Sequence, residues 1–286
     1  MSTPSIAVLG SINLDIVAHA EQLPVAGETV TGATLSEHPG GKGANQALAA
    51  RRLGADVSMI GRVGADSNAA AALALLKADG VDLSRVSVDQ TRATGVALIC
   101  VDRSGENQIV VAPGANTGVT PEHAALPECD ALICQLEVPA ETIVNAAQNY
   151  NGFFVINLAP ARDVSNAMFS EADLIIVNET EADFYGPELL AKSSGLIAIT
   201  YGAKGAALFR RGEQLARALP PEIIATDATG AGDSFVAALT LALVRGDAPE
   251  TALRFACCVG ALTATKAGAQ TSLPTLADVE AKLAGD

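Results

Sequence analysis

Short apolar runs alternate with helical patterns along this 286-residue chain, and no other feature restricts the fold as much. Ile6–Leu9, Ser58–Arg62, Ala131–Gln135, Phe153–Asn157, Leu174–Val177 and Leu196–Thr200 read as core strands. Helical patterns run from Ala44 to Leu53, Ala69 to Ala78, Glu141 to Asn149, Ala231 to Val244, Pro249 to Thr265 and Leu276 to Leu283. The alternation predicts an α/β fold: a doubly wound, mostly parallel sheet with helices on both faces. Hydrophobic residues make up 49% of the chain but aromatics only 3%. The core is therefore built from Ala, Val, Leu and Ile, which suits helices packed on a parallel sheet. No repeat or linker interrupts the pattern, so one α/β domain over residues 1–286 is expected. Two stretches fall outside it. Val17 to His38 is extended and turn-rich, and Thr94 to Val111 holds two strand-like runs around an Arg103–Glu106 hairpin loop.

The chemistry is concentrated at helix starts. Asp227-Ala228-Thr229-Gly230-Ala231-Gly232-Asp233 opens the apolar helix from Ala231. Glycines let backbone N–H groups approach an anion, and a helix N-terminus adds free N–H groups and a favourable dipole. Asp233 sits where it can take a proton from an attacking hydroxyl. Taken alone, the run is equally a glycine turn capped by an aspartate.

A second cluster, Pro39-Gly40-Gly41-Lys42-Gly43-Ala44-Asn45, opens the helix at Ala44. It lacks the spacing of a Walker loop. Lys42 and Asn45 lie three apart, on one face of the first turn, and offer cationic and amide donors to hydroxyl oxygens. An ordinary helix start with a solvated lysine would look the same. Gly10-Ser11-Ile12-Asn13-Leu14-Asp15 follows the first strand at its carboxyl end, where open α/β sheets bind ligands. Asn13 and Asp15 point the same way in an extended segment. The dinucleotide fingerprint GxGxxG is absent, which disfavours a nicotinamide oxidoreductase.

The formal net charge of −14 argues against nucleic-acid and anionic-membrane partners. Five cysteines at 100, 129, 134, 257 and 258 match no zinc or redox spacing. They predict reduced core thiols in a cytoplasmic protein. Met1-Ser2-Thr3-Pro4 carries no basic region of a signal peptide, and no apolar run is long enough to span a bilayer.

In order along the chain, GSINLD, PGGKGANQA, TGVALICVDRSGENQIVVAPGAN, QLEVP, NLAPA, NETEA, ITYGAKG, TDATGAGDSF and KAGAQTSLP resemble the ribokinase, or phosphofructokinase-B, family of sugar kinases. The resemblance covers nearly the whole chain, and the GGKGAN form is similar to that of its ribose-phosphorylating members. It implies transfer of the γ-phosphoryl group of ATP to the primary hydroxyl of ribose. Asn13, Asp15, Gly41, Lys42, Asn45 and Glu137 would hold the sugar. Asp233 would be the base, and the backbone of Gly230, Ala231 and Gly232 the anion hole. Asn178, Thr200, Gly202, Gly205, Gly232 and Cys257 would meet the nucleotide. Glu181 would hold Mg²⁺ through water. Asp227, Thr229, Thr263, Lys266, Gly268 and Ser272 would form a site for K⁺, largely through carbonyl groups. Strands inserted at about 14–38 and 94–112 would form a small β-sheet lid and the contact of a homodimer. Other sugar or nucleoside acceptors (deoxyribose, fructose, adenosine) and a non-catalytic sugar or nucleotide sensor remain alternatives.

Two departures from the family pattern stand out. Ala228 occupies a position where the common motif has Thr. The segment from Tyr185 to Ser194 is short, with Gly186-Pro187 leaving a stub of helix from Glu188 to Lys192.

Overall fold

The computed structural model describes residues 3–285. The first half of the chain runs β1 (Ser5–Leu9), β2 (Asn13–His19), β3 (Thr34–Gly40), α1 (Lys42–Arg52), β4 (Asp56–Gly64), α2 (Ser67–Ala72), α3 (Ala74–Ala78), β5 (Asp82–Asp89), β6 (Gly95–Val101), β7 (Asn107–Ala112) and β8 (Ala131–Gln135). It continues through α4 (Ala140–Gln148), β9 (Phe153–Asn157), α5 (Asn166–Glu171), β10 (Leu174–Asn178), α6 (Glu179–Tyr185), α7 (Glu188–Lys192) and β11 (Leu196–Thr200). The hairpin β12 (Ala206–Arg210) and β13 (Glu213–Ala218) precedes α8 (Ala231–Val244), α9 (Pro249–Thr263) and α10 (Leu276–Gly285).

The large sheet has nine strands in the order β13-β12-β11-β10-β9-β8-β1-β4-β5. Neighbours from β5 to β11 are parallel, and β12 and β13 add antiparallel at one edge. Successive strand residues point to opposite faces. Val8, Ile133, Val155 and Ile176 therefore pack with α1, α8 and α9, while Leu9, Leu132, Phe154 and Ile175 pack on the other face with α4 and α5. The six strands read from the sequence all lie in this sheet.

Three of its strands lie outside the six expected. Edge strand β5 (DLSRVSVD) is half-exposed and polar. In the hairpin, β12 (AALFR) is apolar and largely buried and β13 (EQLARA) mostly exposed, and the turn has a recognisable signature: Arg211 and Gly212 both have positive φ, 52° and 81°, as a two-residue type I′ turn requires. Helix α2 starts at Ser67 rather than Ala69 because Asp66 caps it, its carboxylate accepting the Ala69 N–H at 3.1 Å. The pattern expected as one helix to Ala78 is broken at Leu73. Gly186, at φ 66°, ends α6, and α7 covers the expected stub.

Both stretches outside the wound pattern join a second sheet, in the order β3-β2-β6-β7. Strands β2 and β6 are parallel, and β3 and β7 flank them antiparallel. Asn13, Asp15, Val17, Ala97, Ile99 and Val111 share one face, because directly paired residues point the same way. Among the described residues no helix is long and apolar enough to cross a membrane.

Candidate active site

The parallel strands end together, and the segments after them supply the polar groups: Ser11 after β1, Gln135 and Glu137 at β8, Asn157 at β9, Asn178 at β10 and Thr200 at β11. Helix α1 enters this edge from the small sheet. Gly43 lies so close to β1 that a Cβ there would sit 2.7 Å from the Gly10 carbonyl carbon and the Ser11 nitrogen. Gly41, at φ 90°, turns the chain from β3 into the helix. This approach places Asn45 and Gln46, both buried, against Asp233 in the first turn of α8. The Asn45 amide donates to Asp233 Oδ2 at 2.8 Å and the Gln46 amide to Oδ1 at 3.0 Å. Asn45 Oδ1 is buried with no partner, and an unpaired buried acceptor calls for a hydroxyl donor.

On the small-sheet side, the Asn116 amide holds the link between β1 and β2. Its Oδ1 accepts the Ile12 N–H at 2.9 Å, and its Nδ2 donates to the Ile12 carbonyl at 3.2 Å and to Asn13 Oδ1 at 2.7 Å. Glu137 accepts from the Ser11 hydroxyl and from the Lys42 N–H. Ser11, Asn13, Asn116 and Glu137 line a cavity of about 350 Å³ that reaches Val111 of β7 and Arg162. Asp15 stands on the same face as Asn13, next to Gly40, where a Cβ would lie 2.3 Å from its Oδ2.

Lys42 and four carboxylates, Asp15, Glu137, Glu181 and Asp233, influence one another around this region. Burial first, then the charges of Glu137 and Asp233, push the Asp15 carboxyl up to about 6. Lys42 is driven up mainly by Asp233, against the cost of burial, with Glu137 and Glu181 adding to the effect. Burial also raises Glu181, opposed by the Asn178 N–H and by Lys42, and reinforced by Asp233. The chain alone leaves this site short of positive charge.

The nucleotide-side residues line a neighbouring cavity of about 520 Å³. Thr200, Gly202, Gly205, Gly232 and Cys257 all face it, with Pro220, Ile223, Ala228 and Phe235. Its walls are mostly apolar, as a heterocycle needs. Cys257 contributes packing, since burial pushes its thiol up to about 12. Gly232 faces open space in this cavity: a Cβ there would meet no protein atom within 4 Å. Gly230 takes the left-handed conformation at φ 79° and begins α8. One of the three expected anion-hole donors is already engaged, because the Ala231 N–H bonds the Ala228 carbonyl at 3.1 Å. Asn178 is not among the residues facing the nucleotide cavity. Its Oδ1 caps α6 by accepting the Glu181 N–H, while the Glu181 carboxylate accepts the Asn178 N–H, both at 2.8 Å.

Of the residues expected around K⁺, Asp227, Thr229 and Gly268 are bonded to one another. Asp227 accepts from the Thr229 hydroxyl and N–H at Oδ1 and from the Gly268 N–H at Oδ2. Burial works to raise its carboxyl, but these bonds, with His38, hold it below the usual carboxylate range. Thr263 and Ser272 are buried, and their hydroxyls donate to the Val259 and Ala269 carbonyls, leaving oxygen lone pairs for a cation. Lys266 follows α9. Ionised Asp227 and several neutral oxygens are a donor set that fits a weakly bound monovalent ion.

Comparison with known proteins decides the family. The model of the pfkB family carbohydrate kinases matches residues 3–276. The chain belongs to this family. It is 37% identical to the ribokinase of Bacillus subtilis over 96% of this chain and 98% of that one. Ribokinase from Thermotoga maritima has the same fold, with a TM-score of 0.90 and 31% identity over 98% and 99% of the two chains. The structure of Arabidopsis thaliana ribokinase complexed with ribose and ATP matches at a TM-score of 0.89 and 28% identity, over 99% of each chain.

The chain is thus a carbohydrate kinase, and several polar groups of its site are invisible to motif reading. Ser11, Gln46, Asn116, Gln135 and Asn157 are buried and bonded to site residues. Gln46 and Asn116 sit inside runs that drew attention, PGGKGANQA and APGAN, but nothing in a linear pattern says which side chains turn inward. His38, paired with Asp15 across β2 and β3, links the small sheet to the Asp227 turn.

Proposed function

We propose that this kinase transfers the γ-phosphoryl group of ATP to the primary hydroxyl of D-ribose. The observation that carries the reading is the placement of Asp233. Asn45 and Gln46 hold it in the first turn of α8, next to Gly232 of the apolar cavity, while Asn13 and Glu137 line the cavity bounded by the small sheet. Asn13, Asp15, Gly41, Lys42, Asn45 and Glu137 bind the sugar hydroxyls and set its primary hydroxyl toward Asp233. The hydroxyl oxygen bonds to the γ-phosphorus as the bond from phosphorus to the bridging oxygen of ADP breaks, and the hydroxyl proton passes to the Asp233 carboxylate. The N–H groups of Gly230 and Gly232 face the transferring phosphoryl group at the start of α8, and that of Ala231, shared with the Ala228 carbonyl, contributes less. Thr200, Gly202, Gly205 and Cys257 pack the nucleotide, and Asn178 orients Glu181. Mg²⁺, held through water by Glu181, offsets phosphate charge when bound. K⁺ at the turn of Asp227, Thr229, Thr263, Lys266, Gly268 and Ser272 stiffens the approach to the anion hole.

The small sheet closes over the sugar as a lid. Its exposed Leu35, Leu98 and Val110, which share the face away from Asn13 and Asp15, form the contact of a homodimer. Sedimentation of a Leu98→Lys, Val110→Lys variant as a monomer would support that contact, and an unchanged profile would remove it.

The test is ADP formation from MgATP and K⁺ with ribose, deoxyribose, fructose, fructose 6-phosphate and nucleosides as acceptors. Turnover with a kcat/KM on ribose at least tenfold above every other acceptor supports the proposal. A different preferred acceptor moves the substrate. Sugar binding without turnover turns the chain into a sensor.

A further inference from the structure

We infer that Gln46 is a positioning residue for Asp233, held in place by a chain of buried amides that ends on the backbone of the central sheet. The inference rests on the kinase reading above and concerns what aims its base.

Four side chains make the relay. The Asn157 amide nitrogen donates to the Ile176 carbonyl at 3.1 Å. That bond turns the Asn157 oxygen toward Gln46, whose Nε2 donates to it at 3.2 Å. From the other side, Gln135 Nε2 donates to Gln46 Oε1 at 2.6 Å. The Gln46 carbonyl is therefore taken, and both amide hydrogens are committed, one to Asn157 and one to Asp233 Oδ1 at 3.0 Å. A flipped Gln46 amide would set its oxygen against the Asp233 carboxylate and lose all three bonds. Gln46 and Gln135 are fully buried and Asn157 nearly so, so water cannot replace a lost partner cheaply.

The backbone is shaped around this relay. A Cβ at Gly10 would come within 1.9 Å of Gln135 Oε1, and one at Gly43 would strike Gly10 and Ser11. These contacts let α1 sit low enough on the sheet for Gln46 to reach both β8 and α8. Asn45 holds the second Asp233 oxygen at 2.8 Å. Its own Oδ1 has no protein partner, so Asn45 has an acceptor to offer an arriving hydroxyl, whereas every group of Gln46 is already committed. The fixed bond to Oδ1 then defines the carboxylate plane and leaves the Oδ2 side to the acceptor proton. A carboxylate misplaced by about 1 Å loses up to about 100-fold in rate.

The test uses the full chain and whichever acceptor the parent protein turns over. Gln46→Met keeps length and volume and deletes the donor. The expected result is a kcat lower by about 10–100-fold, with KM for acceptor and ATP within about threefold. Gln135→Met, which does not touch Asp233, should lower kcat in the same direction by a smaller factor. In an Asp233→Asn background, Gln46→Met should add less than twofold, because there is no carboxylate left to aim. A parent-like kcat in either single variant overturns the inference, as does a loss that multiplies in full in the Asp233→Asn background. If Gln46→Met does not fold, by circular dichroism, Gln135→Met decides alone. A parent that turns over no acceptor refutes the kinase reading first and takes this inference with it. A parent that is active, with variants that do not respond, refutes only the inference.

Discussion

Replacing Asp15 by Asn should make the protein more stable at alkaline pH while weakening its hold on the sugar. The Asp15 carboxyl is raised from 3.8 to about 6 by burial and by the charges of Glu137 and Asp233. The native state thus binds a proton that the unfolded chain has already lost between these two values. Asp15 favours the native state most below pH 3.8, and that advantage disappears as pH rises through about 6. Above it, the ionised native site carries the full cost, about 3 kcal/mol, since each factor of ten in acidity is about 1.4 kcal/mol. An uncharged Asn of the same shape escapes that cost. The gain is about 3 kcal/mol at pH 8 and about 1.5 kcal/mol at pH 5, where the native carboxyl is mostly protonated already. The chain has no Trp, so urea unfolding is followed by far-ultraviolet circular dichroism at the two pH values. The same variant should raise the KM for the sugar acceptor by about 10–100-fold, the worth of a hydrogen bond to a charged acceptor. In the parent, that KM should rise as pH falls below about 6, and in Asp15→Asn the dependence should vanish. A stability gain that is equal at both pH values, or a loss at pH 8, would refute the reasoning, because the effect would then not come from ionisation of this carboxyl.

Three further outcomes follow from the site. Asp233→Asn should lower kcat by about 10²–10⁴-fold with nucleotide affinity, measured by calorimetry, within about threefold of the parent; normal turnover would end its role as base. Turnover should need K⁺, because the Asp227 turn ties Thr229 to Gly268 immediately before the anion hole; equal rates in Na⁺ alone or in a bulky organic cation would contradict this. Gly10→Ala should cost about 1–3 kcal/mol by urea unfolding, since its methyl group would land 1.9 Å from Gln135 Oε1; an unchanged midpoint would mean that the amide relay is loose.

The sheet was legible because its central strands carry no competing signal. Ala131–Gln135 is buried at every position, so burial on both faces appears in the sequence as an unbroken apolar run. The edges were not legible for the opposite reason. Strands β5 and β13 mix charged with half-buried or exposed side chains, and β12, though apolar, is a run of five beside a turn marked by the positive φ of Arg211 and Gly212. The same contrast runs through the site. Asp233, Lys42 and Asp15 each read alone as a cap or a solvated side chain, and they stand out because their three segments occur together in the order of the kinase family. Gln46, Gln135, Asn116 and Asn157 do not, because a neutral amide looks alike on a surface and in a core. What distinguishes them is convergence: α1, β8 and β9 bring Gln46, Gln135 and Asn157 together, and the segment after β7 brings Asn116 onto Asn13, all of them buried. Charged groups set the chemistry this chain can perform, and their residue types can be read one segment at a time. Neutral amides set the angles at which those charges meet, and that information exists only after the segments have packed.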